Sequence, residues 1–253
     1  VKTQLDDRYR DATLSLFLEF AGSGAGRLEV SLHPKGRPDK SVELIGEPIT
    51  MVPEICWNAD FSIRNPDKWT AEPPNLYTLE LVITGTDGAV LQAKSLDIGF
   101  RCVEIKGDKF CVNGVPILFR GVNRHDFSPD SGWAVPPELR EQDILIMKRL
   151  NINAIRTSHY PNAPWMSQLC DEYGFYLIDE ADVESHGCST IYGGSQEKTY
   201  GLIAQHPQYE VAILDRVQRC VTRDKNSPSV LIWSMGNESG YGASFEKAGR
   251  WVK

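Results

Sequence analysis

The chain has no C-x-x-C pair, no run of five like charges, and no apolar stretch near the ~20 residues that cross a bilayer. Each absence excludes something. Cys56, Cys102, Cys111, Cys170, Cys188 and Cys220 are dispersed over 253 residues, which fits reduced, partly buried thiols rather than a disulfide framework. A reducing, cytoplasmic location is therefore expected. Without a long apolar run, no membrane partner is expected. No signal peptide is visible at Val1, and the chain opens without Met. Basic residues are outnumbered, 27 Lys and Arg against 34 Asp and Glu, for a formal charge of -7. Phosphate backbones need a basic face, so nucleic acid is excluded as an expected partner. Low-complexity tracts are absent too.

What is present is ordinary for a soluble globular protein, 41% apolar and 24% charged. The length suits one large domain or two medium ones. In the first ~110 residues the apolar period is two. Leu14, Leu16, Leu18 and Phe20 alternate with Thr13, Ser15 and Glu19, and the pattern returns at Leu28, Val30 and Leu32. It returns again at Ala59, Phe61 and Ile63, and at Tyr77, Leu79, Leu81 and Ile83. Gly22-Ser23-Gly24, Pro34-Lys35-Gly36, Asn65-Pro66-Asp67 and Thr86-Asp87-Gly88 supply the turns. Six or seven short strands with one apolar face each predict an all-β, immunoglobulin-like sandwich over residues 1–108. His33 and His206 read as surface residues.

The pattern changes after Asn113-Gly114. Buried-type strands are expected at Pro116 to Val122, Asn153 to Arg156, Phe175 to Ile178 and Val230 to Trp233. Helices are expected between them. The first runs from about Glu138, with Leu139, Ile146, Met147 and Leu150 on one face. The second spans Trp165 to Tyr173 and ends at Gly174. Pro207 opens the third, with Val211, Leu214, Val217 and Val221 inward. Strands alternating with helices predict a parallel α/β unit over residues 109–253. A closed eight-fold barrel needs roughly 250 residues, so about four βα units correspond to a partial TIM barrel, its N-terminal half.

Each of these strands releases polar residues at its carboxyl end. They are Asn123 to Asp126, Arg156 to Tyr160, Asp179 to His186, and Ser234 to Ser239. In a parallel barrel such ends share one rim, where barrel chemistry sits. Glu184 and His186 are two apart, so in extended backbone they face the same way and can share a cation with Glu238, or simply hydrogen-bond. Oxygen-rich ligation with one imidazole suits Mg²⁺, with Mn²⁺ as the alternative, better than zinc. In a partly dry pocket Glu238 would have a raised pKa and act as general acid and base; otherwise it caps the next helix near Ser239-Gly240. Asn237 holds a substrate hydroxyl or stabilises the turn. His125 and His159 are hydrogen-bond partners for a polyhydroxylated ligand, or structural. Arg156 ends a buried strand and must face a carboxylate. Trp133 and Trp165 suit rim or core packing better than sugar stacking.

Taken together, Gly121-Val122-Asn123-Arg124-His125, Arg156 to Asn162, Asp179 to Gly187, Asn226 to Val230 and Trp233 to Gly240 resemble glycoside hydrolase family 2, and within it the large multidomain β-galactosidases. The resemblance extends through the sandwich at Trp69 to Tyr77 and Asp97 to Arg101. It implies a retaining hydrolase of terminal β-D-galactosides such as lactose, with Glu238 as acid/base and Asn237 near the sugar 2-hydroxyl. It also implies Mg²⁺ on Glu184, His186 and Glu238, His125 and His159 in the galactose pocket, and Arg156 orienting the nucleophile. A monovalent cation and homo-oligomers belong to the complete family enzymes, but ligands for that cation do not fall in these residues. The family nucleophile follows the seventh barrel strand, whereas this chain ends after the fourth. The chain alone is therefore expected to be inactive. A β-glucuronidase of the same family is the neighbouring alternative, and a non-catalytic carbohydrate-binding or assembly module is the alternative from another class.

Overall fold

A computed structural model describes residues 1–194 and 199–253. The chain forms two compact units, Val1–Leu118 with Asn226–Pro228, and Phe119–Lys225 with Ser229–Lys253.

The first unit contains β1 (Lys2–Leu5), β2 (Ala12–Glu19), β3 (Gly24–Pro34), β4 (Val42–Met51), β5 (Cys56–Ile63), β6 (Tyr77–Gly85) and β7 (Val90–Ile98). They make two antiparallel sheets, ordered β1-β2-β5 and β4-β3-β6-β7. The period of two does what it predicts. Leu14 and Leu16 of the first sheet and Leu28, Val30, Leu32 and Leu79 of the second are buried in one core cluster. Each such side chain stabilises the fold by ~1.5–3 kcal/mol relative to exposure. Contrary to expectation, His33 is buried, with Nδ1 3.0 Å from the Pro34 carbonyl. It is out of phase with the inward Leu28, Val30 and Leu32, and on the opposite face its Nε2 lies 3.8 Å from Glu80.

A small antiparallel sheet follows, β8 (Val103–Lys106), β9 (Lys109–Val112) and β10 (Val115–Pro116), ordered β10-β9-β8. Val112 pairs with Val115 across Asn113 and Gly114, whose φ angles are 51° and 77°. That is the two-residue hairpin turn for which Asn-Gly is the strongest local signal. The turn keeps Val115 and Leu118 exposed and moves the start of the first parallel strand past the expected Pro116, to Gly121. For the same reason the compact units divide after Leu118, later than the 108/109 junction expected.

The second unit carries β11 (Gly121–Arg124), α1 (Pro137–Arg149), β12 (Ala154–Thr157), α2 (Pro164–Tyr173) and β13 (Tyr176–Glu180). Then come α3 (Gly187–Tyr192), α4 (Gly201–Gln205), α5 (Glu210–Asp224), β14 (Val230–Ser234) and α6 (Ala243–Val252). The strands pair in parallel in chain order, β11-β12-β13-β14, as an open four-stranded part of a TIM barrel. Ile155, Leu177 and Val230 of the sheet pack with Ile144, Met147, Met166 and Cys170 of α1 and α2. Gly174 ends α2 in the left-handed region, its N–H donating to the Cys170 carbonyl.

Two helix faces differ from expectation. On α1 the buried residues are Arg140, Ile144 and Met147, while Leu139, Ile146 and Leu150 are exposed. The Asp126 carboxylate accepts hydrogen bonds from Arg140 Nε at 2.9 and 3.1 Å, so a charge rotates the helix away from its most apolar stripe. On α5 the buried stripe is Ile213, Val217 and Cys220, and Val211 faces solvent. Pro207 starts a 3-10 turn ahead of α5 rather than the helix itself.

Candidate active site

Parallel pairing in chain order brings the carboxyl ends of four strands to one edge of one sheet. Asn123 lies opposite Arg156 in the β11–β12 register, and Glu180 lies opposite Ser234 in the β13–β14 register. Beyond β14 the chain runs alongside the segment beyond β13. The Asn237 N–H donates to the Val183 carbonyl at 2.9 Å, and Glu184 and Asn237 form an isolated parallel bridge. Gly236 permits this approach. Its φ is 154°, and a Cβ there would lie 2.6 Å from the Val183 carbonyl oxygen. Glu238 itself has φ 39°, a left-handed conformation that is uncommon for a residue with a side chain.

The site residues expected from the sequence form one continuous set. The His125 and His159 rings meet edge to face with centroids 5.3 Å apart. His159 Nδ1 lies 2.8 Å from Glu180 Oε1. Arg156 donates to Glu180 from Nε at 2.8 Å and from Nη2 at 3.0 Å, and Nη2 also donates to Asn237 Oδ1 at 2.9 Å. Asn237 Nδ2 in turn donates to Glu184 Oε2 at 2.9 Å. Glu184, His186 and Glu238 then present ligand atoms that all lie within 4.8 Å of one another. The carboxylate that Arg156 required is thus Glu180.

Glu238 does not cap the following helix. The N-cap of α6 is Gly242, with no side-chain cap, while Glu238 Oε2 hydrogen-bonds His186 Nδ1 and accepts from the Tyr200 hydroxyl at 3.2 Å. Nor is its pKa raised. The hydrogen bond from His186 holds the carboxyl below its ordinary value, ahead of the opposing effect of desolvation. With 45% of its side chain exposed, Glu238 lacks the burial that an upward shift needs. The same contact raises the His186 pKa.

Two carboxylates and one imidazole in so small a volume repel unless positive charge joins them. A protonated His186 supplies it, and so would a hard divalent cation. Mg²⁺ holds oxygens at ~2.0–2.1 Å, so its ligands are at most ~4.2 Å apart. The observed limit of 4.8 Å reaches that with a side-chain movement of less than ~1 Å, so the donor set fits the ion.

Beside the set lies a buried ionic group. Arg124 donates to Asp126 at 3.0 Å, to Asn162 at 2.8 Å and to Asp143 at 3.0 Å, and Arg140 meets Asp126 from the other side. Burial raises the Asp126 pKa, but the hydrogen bonds from Arg140, the Ala163 N–H and Arg124 outweigh it and the net shift is downward. Trp165 packs under the Arg140 guanidinium, and Trp133 is exposed against Tyr160 with ring centroids 4.8 Å apart.

Three participants were not singled out as site residues: Glu180, Ser234 and Tyr200. Glu180 had a signal, because Arg156 needed a carboxylate from a neighbouring strand end. Ser234, whose hydroxyl donates to Glu180 Oε2, was visible only as one polar strand end among several. Tyr200 lies in a connection with no apolar period to place it.

Comparison with known proteins also divides the chain in two. The model of the glycosyl hydrolases family 2 TIM barrel domain matches residues 103–253, and that of glycosyl hydrolases family 2 matches residues 1–101. A protein named β-galactosidase from Aeromonas hydrophila is 40% identical over 263 residues, covering 100% of this chain and 24% of that protein. A β-galactosidase from Clostridium acetobutylicum is 42% identical over 239 residues, covering 94% of this chain and 26% of that protein. Among solved structures, the β-glucuronidase of Ruminococcus gnavus superposes with a TM-score of 0.77 at 25% identity, covering 99% of this chain and 39% of that one. The chain thus spans about a quarter of the length of these curated relatives. Sandwich and partial barrel agree with the matched models, and the chain belongs to glycosyl hydrolase family 2.

Proposed function

We propose that this chain supplies the acid/base half of an active site that hydrolyses terminal β-D-galactosides, such as lactose, with retention of configuration. The observation that carries the proposal is the unbroken set of contacts from His125 through His159, Glu180, Arg156 and Asn237 to the Glu184, His186 and Glu238 cluster.

Each residue has a role that its position supports. Glu238 reaches outward from the loop after β14. As an acid it protonates the leaving glycosidic oxygen, and as a base it then takes a proton from the water that releases the sugar. His125 and His159 accept or donate hydrogen bonds to sugar hydroxyls, and Asn237 stands nearest the acid/base, where a 2-hydroxyl would lie. Arg156 steadies Asn237 and orients the attacking carboxylate. A retaining pair needs two carboxyls about 5–5.5 Å apart. Glu180 is fully buried and ion-paired and Glu184 accepts from Asn237, and the resemblance places the nucleophile on a later barrel strand, outside residues 1–253. Glu184, His186 and Glu238 would hold Mg²⁺, with Mn²⁺ as the alternative, which supplies positive charge beside the acid/base carboxylate. No helix among the described residues is long and apolar enough to cross a membrane. The dispersed, mostly buried thiols support a reducing cytoplasm as the working compartment.

The relatives above 35% identity are named β-galactosidase, whereas the structural neighbour named β-glucuronidase is 25% identical, which favours the galactoside. The complete polypeptide that carries this sequence is expected to cleave nitrophenyl β-D-galactoside in preference to the β-D-glucuronide. Residues 1–253 alone are expected to cleave neither. Preference for the glucuronide would replace the substrate assignment. Turnover by residues 1–253 alone would show that the nucleophile lies within them.

A further inference from the structure

Glu180, at the carboxyl end of β13, has no solvent exposure. A buried carboxylate is costly unless its lone pairs are filled. Here they are filled by Arg156 Nε and Nη2, His159 Nδ1 and the Ser234 hydroxyl. The Glu180 N–H is also engaged, donating to Thr157 Oγ1 at 2.9 Å. The group is therefore fixed on four sides, and it constrains what surrounds it.

Two constraints follow. An ionised carboxylate only accepts hydrogen bonds, so His159 Nδ1 carries a proton toward Glu180, and a neutral ring offers Nε2 as an acceptor. Arg156 only donates, so the Asn237 oxygen must face it and the Asn237 amide nitrogen must face Glu184. One buried carboxylate therefore sets the ring state of His159, the fork of Arg156 and, through that fork, the amide orientation of Asn237.

We propose that Glu180 is a positioning residue for galactoside cleavage, orienting His159 directly and Asn237 through Arg156. The proposal rests on the galactosidase reading for its substrate, though not for its geometry. Glu180→Gln keeps size but exchanges one accepting oxygen for an amide that cannot accept, so in either orientation Arg156 loses one of its two bonds, together with that of His159 or of Ser234. Glu180→Asp keeps the charge with a shorter reach.

The test compares wild type, Glu180→Gln and Glu180→Asp in the complete polypeptide. It uses steady-state hydrolysis of nitrophenyl β-D-galactoside, thermal melting, and a crystal structure of the Gln variant. Misplacement by about 1 Å costs roughly 10²-fold, so kcat per folded enzyme is expected to fall by about that factor in Glu180→Gln. KM should change much less, Asp should recover part of the loss, and the side chains of His159 and Asn237 should be displaced. Wild-type kcat in the folded Gln variant, or a lower melting temperature with kcat per folded molecule unchanged, would overturn the proposal. If the wild type fails to cleave the galactoside, the substrate assignment falls and the crystal structure decides the positioning claim. Unmoved His159 and Asn237 would then refute it.

Discussion

At the scale of single residues, the site is organised by charges that have no freedom to choose partners. Asp126 shows this beside the rim. It is buried between Arg124 and Arg140, which are 7% and 4% exposed. Removing the shared carboxylate strips the buried Arg140 of its ion partner, although Arg124 keeps Asp143, so Asp126→Ala is expected to destabilise the protein by about 3 kcal/mol in urea unfolding. A loss below ~1 kcal/mol, typical of an exposed pair, would show that these charges are solvated instead. Because the Asp126 pKa is lowered, its contribution is present above the ordinary carboxylate pKa and is lost as pH falls through the folded value. The Glu184, His186 and Glu238 cluster, proposed to hold Mg²⁺, makes a separate prediction. Calorimetric titration with Mg²⁺ should give measurable binding that Glu184→Gln weakens by roughly 10-fold or more. Equal binding by the variant would remove Glu184 from the ligand set.

At the scale of elements, β13 and α5 meet through a second acidic pair. Burial pushes the Asp179 carboxyl up to about 7, and Asp224 on the helix adds to the shift, while Cys220 donates to Asp179 Oδ2 at 3.3 Å. A raised folded pKa means the folded state keeps a proton that the unfolded chain has lost. This contribution is therefore fully present below pH ~4, declines as pH rises toward ~7, and is flat beyond. Asp179→Asn should flatten that segment of the stability profile in urea melts, and an unchanged pH dependence would contradict the raised Asp179 pKa. Beyond β14, Gly236→Ala should push the chain off Val183 and displace Asn237 and Glu238. A fall in kcat of about 10²-fold is expected, with little change in melting temperature.

The elements also show where the sequence is legible. Period-two alternation located the sandwich strands because burial on one face dictates every second residue. Chain-order parallel pairing followed from the βα alternation, and with it the gathering of His125, Arg156, His159, Glu184, His186, Asn237 and Glu238. Misjudged features were those in which a single specific contact outweighs a pattern. Arg140 turned α1 toward Asp126, so a less apolar stripe was buried. Asn113-Gly114 closed a hairpin inside what read as a continuous apolar run, although that dipeptide was itself the signal. The downward shift at Glu238 was unreadable because it depends on His186, 52 residues away in sequence.

At the scale of the whole molecule, the chain holds a seven-stranded sandwich and four parallel strands of a barrel, and it spans about a quarter of the length of its curated relatives. Its rim gathers Glu238, the cluster it forms with Glu184 and His186, and the side chains of His125, His159 and Asn237 in one set of contacts. The attacking carboxylate is proposed to lie outside it. The most direct measurement is kcat/KM for nitrophenyl β-D-galactoside in the complete polypeptide before and after Glu238→Gln. Loss of general acid/base catalysis predicts a fall of about 10²–10⁴-fold with an intact fold. Undiminished kcat/KM in the folded variant would contradict the assignment of Glu238, and with it the function proposed for this rim.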